Sequence, residues 1–189
     1  MIAGQVTRQA VAAAGDRILL IRPDGHEATG QEVEARTNGL ALALGKQGLA
    51  GQRIGLWSWN SAAAIEAHLA TEWIGATRVP VDPGTPPAEA AAVFKAAGVS
   101  GVVVDAAHVT DAPAGALVHD DSPLSVTGTL EAREIPPDTT HLLYPRMAAE
   151  GQFLAVPMSY ANWRPAWQST PSCTAATTTG KASTAPNGS

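Results

Sequence analysis

Two hydrophobic rhythms take turns along this chain. Short apolar or β-branched runs with strand character are ILLIR (Ile18–Arg22), RIGLWSW (Arg53–Trp59), RVPVD (Arg78–Asp82) and GVVVD (Gly101–Asp105). Between them the apolar residues recur at helical spacing. Val33, Leu40 and Leu44 share one face, Ile65, Leu69 and Trp73 fall on every fourth residue, and Val93 with Phe94 mark a third helix. An Ala-rich helix over residues 1–16 comes first, ending at Gly15. LLY (Leu142–Tyr144) and FLAVPMSY (Phe153–Tyr160) return to strand character. GVVVD is apolar throughout, as a strand covered on both faces should be.

Punctuation agrees with the rhythm. Pro23-Asp24-Gly25 has turn chemistry, and Thr29-Gly30-Gln31-Glu32 reads as a capping box, the Thr and Glu satisfying each other's free backbone donors. Gly45 and Gly48 end that helix, Asn60 or Ser61 caps the next, and Pro83-Gly84 breaks the third strand. Thr85 followed by Pro86 starts a helix running to Gly98. Residues 106–138 are rich in Pro and Gly, with short strands expected near Leu117-Val118 and Leu124–Val126. Strands alternating with helices at this spacing predict an α/β domain with a largely parallel sheet and right-handed crossovers. That domain spans residues 1–167. From Gln168 to Ser189 the chain has no Leu, Ile, Val or Phe and one charge, Lys181, so a disordered Ser/Thr/Ala/Pro/Gly-rich tail is expected.

Composition narrows the partners. A body of about 150 residues buries roughly 68–70% of its unfolded surface, enough for a sizeable core. The net charge is −5 with acids and bases interspersed, so there is no basic stripe for nucleic acid or an anionic membrane. No apolar run approaches the ~18–20 residues that span a bilayer. The single cysteine, Cys173, excludes an internal disulfide, and with no signal-peptide pattern at the N-terminus it points to the cytoplasm.

The usual chemical motifs are missing. Histidines 26, 68, 108, 119 and 141 show no metal-ligand spacing. His119-Asp120-Asp121 reads as a solvated turn rather than a cation site, and His68 as a helix flank. No Gly-x-Ser-x-Gly elbow occurs. TTTGKAS (Thr177–Ser183) fails as a Walker loop because Ala175 and Ala182 stand where Gly and Ser/Thr are needed. The five tryptophans, with Trp57 and Trp59 on one strand face and Trp73 on a helix stripe, read as core. No catalytic residue and no metal ligand is nominated.

Four ordered stretches nevertheless resemble adenylate-forming (AMP-binding) enzymes, the superfamily of acyl-CoA synthetases, peptide-synthetase adenylation domains and luciferases. DGHEATGQEVEARTNGLALAL is similar to their opening segment, and RIGLWSWNSAAAIEAHLATEWIGATRVPVDPGTPPAE to the next. DTTHLLYP stands where a "DxAxLxYTSG" pattern is usual, and VPMSYANW resembles "VxLSHxNL". The resemblance covers about residues 14–163 and implies the N-terminal subdomain of such an enzyme.

Between Tyr144 and Val156 the chain departs from the family. A phosphate loop of the form Ser/Thr-Ser/Thr-Gly-Thr-Thr-Gly-x-Pro-Lys-Gly belongs there. Aligned backward from Asn162, only Gly151 coincides, Leu154 takes the Lys position, and Glu150 would repel phosphate. Gly151, Ser159 and Asn162 are the positional matches for cofactor binding. The resemblance implies ATP/AMP and Mg as cofactors; the degenerate loop implies that none is held tightly. The segments that would contact adenine and ribose, and the domain carrying the catalytic Lys, have no counterpart.

The expectation is a truncated AMP-dependent synthetase/ligase-like subdomain, inactive alone. The family reaction is ATP-dependent carboxylate adenylation followed by thioester formation. The alternative is a non-catalytic binding module docking on a synthetase or carrier protein. A reading-frame change or gene decay would also account for the loop and tail, which translation of the other frames of the coding DNA would reveal.

Overall fold

A computed structural model describes residues 3–22, 24–120, 128–131, 133–147 and 153–162. Among these it forms four helices and eight strands. After α1 (Ala3–Ala14), β1 (Ile18–Ile21) turns back through Asp24-Gly25 to pair antiparallel with β2 (Glu27–Thr29), a strand the sequence pattern does not announce. β2 runs straight into α2 (Gly30–Lys46). There the expected capping box forms: Thr29 Oγ1 accepts from the Glu32 N–H at 3.3 Å, and Glu32 Oε2 accepts from the Thr29 N–H at 2.7 Å. Gly30 lets α1 touch this helix start, since a Cβ there would lie 2.6 Å from that of Ala14. Gly45 stays inside α2, and the chain turns at Gly48 with φ +75°.

The main sheet has six strands in the order β6-β5-β3-β4-β7-β8. β3 (Arg53–Trp57), β4 (Thr77–Val81), β5 (Gly101–Val104), β6 (Leu117–Val118) and β7 (Thr140–Met147) are parallel to one another; β8 (Phe153–Ser159) pairs antiparallel with β7. The mostly parallel α/β reading holds. α2 and α3 (Ala62–Trp73) cover one face, where Leu40, Leu44, Ile54, Leu56 and Ile74 are buried together. α4 (Pro87–Ala96) covers the other, burying Trp57, Val81, Phe94 and Val104. Phe94 lies so close to β3 that a Cβ on Gly55 would meet its ring at 2.6 Å.

α3 corrects the sequence reading. Its N-cap is Ser61, whose side chain accepts from the Ala64 N–H. Ile65, expected on the buried stripe, is 45% exposed, and Leu69 is half-buried. The helix instead packs through Ala67, Ala70 and Ile74 against α2 and the sheet, because only small side chains fit between two layers this close. On the same helix Glu66 is fully buried, held by Arg36 Nε at 2.9 Å and by His119 Nε2 at 2.9 Å. His119 is therefore no solvated turn: it is 3% exposed and fastens the segment after β6 to α2 and α3, where Arg36 also donates to the Asp120 carbonyl. Trp57 and Trp73 are core as expected; Trp59 lies past the end of β3 and is 55% exposed.

Residues 121–127, 148–152 and 163–189 lie outside the described part. With them go the strand expected at Leu124–Val126, Gly151, Trp163, Trp167 and the tail with its TTTGKAS.

Candidate ligand-binding edge

Open parallel α/β sheets place ligands beyond the carboxyl ends of their strands. Here that edge carries Trp59 after β3, Asp82 after β4, Asp105 after β5, and Tyr144 and Pro145 on β7. Registered pairing between β4 and β7 is confined to Arg78↔Leu142. Beyond it stand Pro80 and Pro145, which have no N–H to give a ladder, and the strands border a cavity of about 420 Å³. Val81 and Val93 give it an apolar floor, and Asp82 and Glu89 are its charged lining. Both are carboxylates, so the cavity repels phosphate. A second cavity, about 390 Å³, opens at the opposite edge near Leu49, Phe94 and Lys95, between the C-terminal ends of α2 and α4. It is remote from the carboxyl ends where the fold puts chemistry.

Asp105 and His108 organise the loops around the carboxyl edge. The Asp105 carboxylate accepts from the Trp59 N–H at 2.7 Å and the His108 N–H at 3.1 Å, and faces His108 Nδ1 at 2.6 Å. His108 Nε2 donates to the Pro83 carbonyl at 3.0 Å, and the ring packs on Trp57 with centroids 4.4 Å apart. Burial disfavours the imidazolium, but the Pro83 carbonyl and the Asp105 carboxylate outweigh it and raise the His108 pKa. Asp105 is likewise penalised by burial, yet the N–H bonds from Trp59 and His108 lower its pKa. With both ring nitrogens engaged, His108 has no lone pair for base catalysis or a metal. The signal was legible: an Asp at the carboxyl end of a strand, with a His three residues on.

Of the three nominated positions, Ser159 and Asn162 lie in contact with each other. β7 and β8 pair continuously from Leu142↔Met158 to Tyr144↔Val156, Pro145↔Ala155, Arg146↔Leu154 and Met147↔Phe153. Gly151 lies outside the described residues. Ser159 pairs with Thr140 at the far end of the same ladder, about 20 Å along the strand from Phe153 at 3.3–3.4 Å per residue. There it caps the helical turn 160–162. Ser159 Oγ lies 2.8 Å from Asn162 Oδ1, which also accepts from the Ser159 N–H at 3.1 Å. The Asn162 N–H donates back to Ser159 Oγ at 3.2 Å.

Nucleotide and magnesium fit poorly at the β7–β8 end. From Pro145 to Ala155 the chain has no hydroxyl and no Lys; its one cation, Arg146, sits in the ladder opposite Leu154. Residues 145–147 and 153–155 are committed to strand pairing rather than arranged as a phosphate cradle. Among the described residues no group of three or more His, Cys, Asp or Glu side chains could hold a metal, and no helix is long and apolar enough to cross a membrane.

Helices on both faces of a mostly parallel sheet, with a cavity at its carboxyl edge, define an open-sheet α/β domain. Its lineage is specific: the sequence model of the AMP-binding enzyme family matches residues 6–164, and the chain belongs to that family. Over 103 residues, 54% of this chain, it is 30% identical to a naringenin synthase of Pestalotiopsis fici, of which it spans 4%. The N-terminal subdomain of Klebsiella oxytoca NpsA, solved with 3-hydroxyanthranilyl-AMSN, superposes with a TM-score of 0.70 at 22% identity, covering 84% of this chain and 41% of that one. The anthranilate CoA ligase AuaEII, solved with anthranoyl-AMP, gives 0.73 at 19%, covering 89% and 35%. At these identities the likeness is one of fold, that of the N-terminal subdomain of adenylate-forming enzymes.

Proposed function

We propose that this chain keeps the scaffold of an adenylate-forming ligase without its grip on the triphosphate, and does not itself adenylate a carboxylate. The β7–β8 ladder carries this reading: strand pairing continues to Met147↔Phe153, where the family resemblance calls for an open phosphate loop. Losing one preorganised donor from developing charge costs about 2.7–4 kcal/mol in comparable sites, and several are replaced here. Glu150 in the sequence between the two strands, and Asp82 and Glu89 in the cavity, add repulsion. Magnesium, which would accompany the nucleotide, finds no group of three or more acidic, His or Cys side chains among the described residues. The test is carboxylate-dependent ATP–pyrophosphate exchange by the purified chain. The reading predicts none above background; sustained exchange that needs the carboxylate refutes it.

A second reading, a non-catalytic module docking on a synthetase or carrier protein in the cytoplasm, draws support from one observation. Tyr144, directly opposite Val156, and Leu154 on the same face of the hairpin are 56%, 54% and 47% exposed. Pull-down with synthetase and carrier-protein baits should retain a partner that Val156→Asp weakens. Retention unaffected by that substitution, or no retention, counts against this reading.

A further inference from the structure

The Asp105–His108 pair fastens three loops together, and the chemistry of the ring makes the fastening conditional. A backbone carbonyl only accepts hydrogen bonds, so the 3.0 Å contact with Pro83 needs a proton on Nε2. The 2.6 Å contact with the Asp105 carboxylate needs one on Nδ1. Only imidazolium carries both. When one proton leaves, the carboxylate keeps its own partner, because a charge-assisted bond is the stronger of the two. Nε2 then turns a lone pair toward the Pro83 oxygen, and the bond becomes a repulsion.

Pro83 belongs to the tight turn that rims the carboxyl-edge cavity. Gly84 N–H donates to Asp82 Oδ1 at 2.8 Å and Thr85 N–H to the Asp82 carbonyl at 3.0 Å; Asp82 and Thr85 themselves line the cavity. We infer that His108 is a positioning residue, a latch that holds the Asp82–Thr85 rim against the end of β5 while the ring is charged and lets it go when the ring is neutral. Its charged neighbours are Asp105, at the end of β5, and Asp111 beyond it; Trp57 and Trp59, from β3 and the loop after it, pack on the ring at 4.4 and 6.2 Å. Both acids favour the charged form, so release belongs to the neutral-to-alkaline side of the ordinary histidine range. The latch is a property of the rim and stands whatever the cavity holds.

The experiment is a pH titration of the isotope-labelled full chain by NMR. The His108 ring protons give the midpoint, and hydrogen exchange at Gly84 and Thr85, corrected for intrinsic rates, reports the rim. The midpoint is expected above ~6.5, with protection at both amides falling about fivefold or more across it while Leu56 in β3 stays constant. Asp105→Asn should lower the midpoint by about one unit, and His108→Gln should remove the pH dependence of the rim. A midpoint below the ordinary value, rim amides that ignore it, or an unchanged midpoint in Asp105→Asn each overturns the inference. Should His108→Gln not fold, the wild-type titration and Asp105→Asn still decide.

Discussion

Ile65 and Glu66 are neighbours on α3 whose roles are the reverse of what residue type suggests. The apolar one faces solvent and the acid is sealed between Arg36 and His119. Removing one member of a buried ion pair leaves its partner's charge uncompensated, at a cost of about 3–5 kcal/mol. Glu66→Ala should therefore destabilise the chain by about 3 kcal/mol in urea unfolding, whereas Ile65→Ala should change it by no more than about 0.5 kcal/mol. Equal effects would contradict the placement of both residues. Periodicity misled here because it weighs apolar character alone, and an Ala face that fits a narrow gap leaves almost no hydrophobic signal. His119 was unreadable for a different reason: its partner, Glu66, lies 53 residues away. Trp59 looked like core because it continues the alternation of RIGLW past the residue at which β3 ends.

At the scale of elements, local chemistry was the most legible part. The Thr29–Glu32 box and the Ser61 cap rest on contacts within a few residues, and the helix expected from Thr85-Pro86 begins one residue later, with Pro86 at the N-cap and Pro87 in the first turn. Thr29→Ala should cost about 1 kcal/mol, read as a lower urea midpoint with unchanged m-value; no shift would mean the cap is idle. β2 escaped notice because its three residues merge with that cap. The contact of α4 with β3 was also hidden, since it depends on an absence of side chain at Gly55. Gly55→Ala should cost about 1–3 kcal/mol by pushing on the Phe94 ring, and Phe94→Leu in the same chain should recover part of it. If the two substitutions are simply additive, the close approach is wrong. As for the candidate site, the departure from a phosphate loop was visible in composition. Its structural form, a ladder running to Met147↔Phe153, needed the register of both strands.

Across the whole molecule, buried histidines link stability to pH. His141 accepts from Arg78 at 2.7 Å and His68 lies near the same guanidinium; burial first, then Arg78, lowers each to about 4. Both stay neutral in the fold while the unfolded chain protonates them near 6.5, so their contribution is present above that value and is lost as pH falls toward 4. His108 acts in the opposite sense, its contribution fading as pH rises through a raised pKa. With two groups against one, acidification from pH 7 to 4.5 should lower the thermal midpoint, and His141→Phe should flatten the slope. A midpoint that rises with acid would contradict the placement of half-buried His68 and buried His141 near Arg78.

Alternating strands and helices with a largely parallel sheet, which the sequence pattern did foretell, supply the adenylate-forming frame; the β7–β8 end decides what that frame can hold. The most direct test is titration of Mg·ATP into the labelled chain, following the amides of residues 146, 147 and 153–155. Strands already paired with each other should show no saturable shift at any concentration up to several millimolar. A saturable response centred on those amides would mean that the ladder opens to hold phosphate, and that the central claim is wrong.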